Sequence, residues 1–325
     1  MKKIVSIAVS LGLLVVLYYF KIDVSELFKA FSRADIPFLI LGVASTAPLI
    51  LLIAWRLKQL MPSERELPFV EAVGLTLSAG SLNMLLPLKM GDIAKAVFLH
   101  ESGRFSGTMS ISLVTFEKAL DILCLLLWCM LGLFMYSNIS PLFLPVKCVV
   151  VPGFALGTVF LCSRGFSSFC FSHGKRLLPS RFHSKVDRIS ENWAEIVGYF
   201  FADRGKAARI IIYSILIWFM HLLQIWFFIL AMGGSVPLLY NFALSPLVIL
   251  AGIMPFTFAG MGTRDAALIV LFQPYLTAPV AAAVALLCTS RYILPAIAGL
   301  PFLDKYMRLA RKKWFPNGGG VTVMK

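Results

Sequence analysis

The 325-residue chain is 59% hydrophobic and 14% charged, with a formal net charge of +14 and a mean hydropathy of +0.85. Soluble domains lie near 45–50% apolar and about 25% charged, so this composition excludes an ordinary soluble domain and indicates a multi-span membrane protein. The basic residues cluster between apolar runs, where Lys and Arg set topology. They form no stripe interleaved with exposed aromatics, so nucleic acid is not an expected partner.

Lys2 and Lys3 precede the apolar run Ile4 to Phe20, read as a retained first span with the N-terminus inside. In residues 22–36, Val24, Leu27, Phe28 and Phe31 share one helical face, the pattern of a short interfacial helix. Pro37 to Trp55 is the second span, closed on the inside by Arg56, Lys58 and Arg65. Phe69 to Leu86 is apolar but interrupted by Gly74, Gly80 and Pro87, and a basic segment from Lys89 to Arg104 follows. Thr108 to Tyr136 and Leu142 to Cys162 are further spans joined by a tiny turn. Residues 163–208 form a long basic loop, expected to be cytoplasmic. Within it Val186, Ile189, Trp193, Ile196, Val197 and Phe200 line one face, the pattern of an in-plane helix on an anionic leaflet. Arg209 to Met232 and Ala278 to Leu300 are the last spans, flanking an apolar stretch broken at PFTFAGMGTRD. The basic tail, residues 301–325, is again expected inside.

Counting faces back from the basic loop places residue 107 on the same side as the loop after Trp55. Residues 69–98 must then enter and leave from one face, and the same parity makes 241–274 a second re-entrant hairpin from the opposite face. The expected fold is therefore all-α and integral to the membrane, one domain over residues 1–325. It has about six spanning helices plus two re-entrant hairpins, in an inverted repeat with halves near 37–136 and 209–300. Broken helices that meet near the midplane in inverted repeats are a secondary-transporter architecture, and irregular backbone at that depth must line a cavity or be buried in protein.

Ionisable groups at membrane depth are costly and face a partner or a cavity. Asp92 and Lys95 are spaced i,i+3, and Glu117 and Asp121 i,i+4, so each pair shares a helix face. Glu117 lies roughly 14 Å along its helix from Thr108. Two carboxylates there call for a cation, with Lys89, Lys95 and Arg264 as the available partners. On the functional reading Lys89, Lys95 and Arg264 bind an anionic headgroup while Glu117 and Asp121 hold those cations or take protons. On the alternative, pairs such as Glu117–Lys95 and Asp92–Arg264 only pin the hairpins. Gly260 and Gly262 let backbone amides approach a phosphate before a helix beginning near Thr263, or simply serve a tight turn. His221 and Trp218 read as packing. The six cysteines form no CxxC and the four histidines no HExxH. No metal or other cofactor is expected.

Three segments carry a family likeness: Asn83, Pro87, Gly91, Asp92 and Lys95; then Glu117, Lys118 and Asp121; then Pro255, Gly260, Gly262, Arg264 and Asp265. In this order and over nearly the whole chain, they resemble the lysylphosphatidylglycerol synthase transmembrane, or flippase-like, family. Lys118 stands where that family more often has Arg, and Asp265 where Glu is commoner; the soluble aminoacyl-transferring domain of the larger members, and with it their aminoacylation activity, is not expected here. The resemblance implies movement of a phospholipid or lipid-linked headgroup across the cytoplasmic membrane, with anionic or isoprenoid-linked lipids as partners. Stand-alone relatives are linked with glycosyltransferases, which makes a glycosyltransferase partner a further expectation. An enzyme of lipid-linked glycosyl transfer, an accessory subunit and a small-solute carrier are the competing readings. The enzyme is disfavoured because no nucleotide, metal or nucleophile motif is visible.

Overall fold

A computed structural model describes residues 24–62, 66–85, 91–135, 144–253 and 262–314, and among these all regular structure is helical. A short α1 (Val24–Ser32) leads into α2 (Ile36–Ala44) and α3 (Thr46–Leu60), which make one apolar rod with a break at Ser45. There follow α4 (Phe69–Leu85), α5 (Gly91–Glu101), α6 (Gly107–Met135), α7 (Leu144–Cys162), α8 (Arg164–Arg176) and α9 (His183–Ala202). The chain continues through α10 (Arg204–Ala231), α11 (Leu238–Ile253), α12 (Thr263–Phe272) and α13 (Ala278–Trp314). Among the described residues five rods are long and apolar enough to cross a membrane: Ile36–Leu60, Gly107–Met135, Leu144–Cys162, Arg204–Ala231 and Ala278–Asp304. They coincide with the five spans expected after the first; that first span, Ile4 to Phe20, lies outside the described residues. Their outer faces carry exposed Ile212, Val149, Phe134 and Ile297, the surface a bilayer would cover.

The ends of the rods are set by local chemistry. Asp35 caps α2 by accepting from the Phe38 N–H, with Pro37 in the first turn, where its missing N–H costs nothing. Asp203 caps α10 by accepting from the Lys206 N–H at 2.9 Å, and that backbone bond is the main reason its carboxyl titrates below the ordinary range. The carbonyl of Met61, at the C-terminus of α3, accepts from both Lys206 Nζ and Tyr199 OH at 3.0 Å, which ties the basic loop to α3.

The amphipathic helix of the basic loop forms as expected, but its apolar face is not left for lipid. Trp193, Ile196, Val197 and Phe200 are buried, and Phe116 of α6 meets Trp193 and Phe200 edge-on at centroid distances of 5.6 and 5.1 Å. Edge-to-face aromatic contact favours protein over lipid as the neighbour here. Phe28 of α1 is exposed, whereas Leu27 enters the core beside α13.

Two short helix pairs interrupt the spans. In the first, α5 folds back on α4: the Gly91 N–H donates to Asn83 Oδ1 at 2.8 Å, and a Cβ at Gly91 would collide with the Ala79 carbonyl. Only glycine permits that approach. The second pair, α11 and α12, is also in contact, with Gly252 of α11 lying against the Arg264 side chain of α12. Each pair is then embraced by the other half of the chain, α4 by α13 and α11 by α6. Both embraces use small residues. A Cβ at Gly299 of α13 would strike the Leu77 carbonyl of α4, and one at Gly132 of α6 would strike Ala243 of α11. Such close backbone approach is how helices associate where lipid removes the hydrophobic drive between them.

These contacts make a direct expectation. Gly299→Val over-packs the α4–α13 seam and lowers stability by about 1–3 kcal/mol. Gly174→Ala, whose added Cβ meets nothing within 4 Å, leaves it unchanged or slightly raised. Thermal unfolding of the detergent-solubilised variants distinguishes the two.

Candidate functional site: an ionic chain lining an intramembrane cavity

The charges flagged from the sequence converge, around a residue the sequence reading left outside the site. Arg56, near the end of α3, is 1% exposed, and its Nη1 donates to Asp121 Oδ1 at 2.6 Å and to Ser214 Oγ of α10 at 3.2 Å. Its Nη2 donates to Glu117 Oε1 at 3.3 Å. The other Glu117 oxygen accepts from Lys95 Nζ of α5 at 2.6 Å. Lys118 Nζ lies 3.2 Å from Asp92 Oδ1 and 3.7 Å from Asp121 Oδ2.

The result is one chain of ion pairs, Asp92–Lys118–Asp121–Arg56–Glu117–Lys95, in which three cations meet three carboxylates. Helix geometry explains it. Glu117 and Asp121 stand one turn apart on the inner face of α6, so a single guanidinium from α3 can span both. Lys118, on the neighbouring face, reaches back to Asp92 at the start of α5. Burial falls steeply along the chain: the Lys118 side chain is 42% exposed, whereas those of Lys95, Glu117 and Arg56 are 3% or less.

This network lines a cavity of about 360 Å³. Apolar walls come from Leu49, Ile53, Ile122 and Ile249, and Asn83, Trp218, His221, Gln224 and Arg291 add polar groups. Around it, Gln224 Nε2 donates to the Gly42 carbonyl and Thr46 Oγ1 at 2.8 and 2.9 Å, bridging the break between α2 and α3. Arg104 grips Glu71 with two bonds of 2.9 and 2.8 Å, closing the base of the α4–α5 pair. Among the described residues, no group of three His, Cys, Asp or Glu could hold a metal ion.

Several expectations need correction or sharpening. The Glu117–Lys95 pair forms. The Asp92–Arg264 pair does not: Asp92 is engaged by Lys118, and Arg264 by its own neighbour Asp265 at 2.6 and 2.9 Å. Arg264 also donates to Thr289 Oγ1 of α13 at 2.8 Å and is only 4% exposed, so it fastens α12 to α13 and is not among the cavity-lining residues. Gly262 does take a left-handed φ of 101°, as a glycine turn requires. Its N–H, however, donates to Asp265 Oδ2 at 3.1 Å, so that amide is already used. Asn83 lines the cavity and also caps α5. Lys89 and Gly260 lie outside the described residues.

In the sequence Arg56 directly follows the apolar run that ends at Trp55 and counts among the basic residues that set topology, whereas its helix continues to Leu60. The clue was the unmet need of two intramembrane carboxylates for a cation. Arg291 has a plainer clue: it stands thirteen residues from either end of the apolar stretch Ala278–Asp304, where a lone guanidinium is costly.

A bundle with five membrane-length helices, two short folded-back pairs and a charged interior cavity defines a multi-pass membrane protein. The chain belongs to the family described as the lysylphosphatidylglycerol synthase TM region, whose model matches residues 3–299. No curated protein matches it.

Arg56→Ala leaves Asp121 with only the 3.7 Å contact to Lys118 and Glu117 with Lys95 alone, and breaking a buried pair costs about 3–5 kcal/mol. Lys118→Ala, at the exposed end, costs well under half as much. The comparison is made by thermal unfolding of the purified variants at one pH and one detergent concentration.

Proposed function

We propose that the protein is a translocator that carries a phospholipid or lipid-linked headgroup between the two leaflets, with both termini on the cytoplasmic side. The observation that carries this reading is the cavity itself. Apolar walls suited to acyl or isoprenoid chains run beside a neutral chain of charges, deep in a member of a lipid-synthase membrane family. A headgroup entering at Lys118 and Asp92 exchanges water for this ladder and so avoids the cost of bare charge in hydrocarbon. A ladder whose members already pair with one another binds weakly at each rung, which suits passage better than storage. On this reading the protein acts as a carrier.

On this reading α4–α5 and α11–α12 are re-entrant pairs related by an inverted repeat. Their lengths support it: α5 and α12, with 11 and 10 residues, extend about 15–17 Å, half the hydrocarbon thickness. The packing supports it too. The two halves correspond if α2–α3, α4, α5 and α6 are matched with α10, α11, α12 and α13, and under that matching the α4–α13 contact becomes the α11–α6 contact.

In proteoliposomes containing headgroup-labelled phosphatidylglycerol, the wild type speeds exchange between leaflets over protein-free vesicles. Asp92→Asn and Lys118→Ala, at the exposed end of the ladder, slow it at least tenfold. A wild-type rate equal to that of empty vesicles contradicts the proposal.

A further inference from the structure

The basic loop carries an apolar surface that neither the core nor the ionic ladder explains. α8 starts at Arg164, one residue after α7 ends. Ser163 between them has extended backbone, which turns the chain, and its hydroxyl accepts from the Phe166 N–H to cap the new helix. α8 does not run on along the axis of the span. Phe171, in its middle, still meets Phe160 of α7 at a centroid distance of 5.8 Å and Trp193 of α9 at 6.0 Å. A helix continuing outward would have carried Phe171 about 10 Å or more from the end of α7. α8 therefore lies across the end of its span, at the level of the lipid headgroups, with one face against α9.

That packing turns Ser167 and Phe171 inward and leaves Phe169 56% exposed. Where α8 ends, Leu177 is 89% exposed, Leu178 is 45% exposed, and Phe182 across the turn is 37% exposed. The corner is firmly built. The N–H groups of Leu177 and Leu178 donate to the carbonyls of Gly174 and Lys175 at 3.1 Å, and His183 Nε2 donates to the Leu178 carbonyl at 3.0 Å. A contiguous apolar surface held in place but left uncovered marks an interaction site.

Charge identifies what covers it. Between residues 164 and 188 the only carboxylate is Asp187, and Lys175 occupies both its oxygens at 2.8 and 2.6 Å, bracing α8 on α9. Among the described residues no ion pair engages Arg176, Arg181 or Lys185. Arg181 and Lys185 instead flank the Phe182 ring, at 4.9 and 5.9 Å from its centre. Uncompensated cations around apolar side chains, on a helix lying across the end of a span, are the arrangement that binds an anionic bilayer surface.

We propose that the corner between α8 and α9 docks on the anionic headgroup surface of the bilayer that its own span crosses. Phe169, Leu177, Leu178 and Phe182 enter the acyl boundary, and Arg176, Arg181 and Lys185 contact the lipid phosphates. The inner face of α9 is covered by Phe116 and Phe160, so the membrane-docking surface of the loop is α8 with the turn after it. Each uncompensated cation favours the docked state about fivefold over an anionic leaflet. This surface is separate from the cavity, and a protein that moved no lipid would dock in the same way.

The test uses the full-length chain in a cysteine-free background with one cysteine, Leu177→Cys or Glu191→Cys, the latter at an exposed polar position of α9. Each is labelled with nitrobenzoxadiazole and reconstituted into vesicles that contain spin-labelled phosphatidylcholine as quencher. The probe at 177 is expected to be quenched at least threefold more strongly in phosphatidylcholine doped with phosphatidylglycerol than in phosphatidylcholine alone. The probe at 191 is expected to be unquenched in both. Combining Arg176→Gln, Arg181→Gln and Lys185→Gln, or raising the salt concentration, is expected to return the probe at 177 to its level in phosphatidylcholine alone. A probe at 177 that stays unquenched over phosphatidylglycerol, as on a surface kept for a protein partner, overturns the proposal. So does equal quenching in the two lipid mixtures, or quenching that the triple substitution leaves unchanged.

Discussion

The guanidinium of Arg56 between Glu117 and Asp121 is the contact on which the interior depends. It joins α3 to α6 and, through Ser214, to α10, while Lys95 brings α5 to the same carboxylate. Charged groups are tolerated in an apolar bundle only when paired and hydrogen-bonded, so none of these side chains can be placed independently of the others. Arg suits the central position because its planar fork reaches two carboxylates at once, which a lysine ammonium does less well. The electroneutrality of the ladder also shapes the cavity: three charges of each sign cancel, and Arg291 alone sets the net sign.

The framework is held by a different kind of contact. Where α13 crosses α4, Gly299 meets the Leu77 carbonyl and Ser81 Oγ donates to the Ala296 carbonyl at 2.6 Å; where α6 crosses α11, Gly132 meets Ala243. Asn241 Nδ2 donates to the Leu222 carbonyl, joining α11 to α10, and Asn241 Oδ1 accepts from Ser245 Oγ. In lipid the apolar effect does not drive helices together, so small residues and buried polar bonds determine which helices become neighbours. The broken pairs α4–α5 and α11–α12 are short, and each is gripped on both sides by long helices.

Much of this was legible in the sequence because membrane hydropathy is a strong signal. The five described spans fall within a few residues of those read from apolar runs, and the segments after Phe69 and after Asn241 are each built of two short helices in contact. Glu117, Asp121 and Lys95 were legible as a group because ionisable residues stand out in apolar helices. Pairing was less legible. Charge alone offers Arg264 as one partner for Asp92, yet the adjacent Asp265 and Thr289 satisfy it first. Arg56 was hidden by its position near a helix end, where the same residue type serves topology. The amphipathic face of α9 announced itself, but periodicity reports that a face is buried and not what buries it; Phe116 does so here.

The central claim is that the two broken pairs turn back within the membrane and so bring charged groups to the lipid route. Single cysteines placed in a cysteine-free background test it, using a membrane-impermeant maleimide on oriented vesicles. Val70→Cys and Ser106→Cys bracket the first pair, Leu239→Cys and Gln273→Cys the second, and all four sites are at the protein surface or partly exposed. Labelling of 70 and 106 from the cytoplasmic face only, and of 239 and 273 from the opposite face only, is the expected result. If the two members of either pair label from opposite faces, that segment spans the bilayer and the proposed route is wrong.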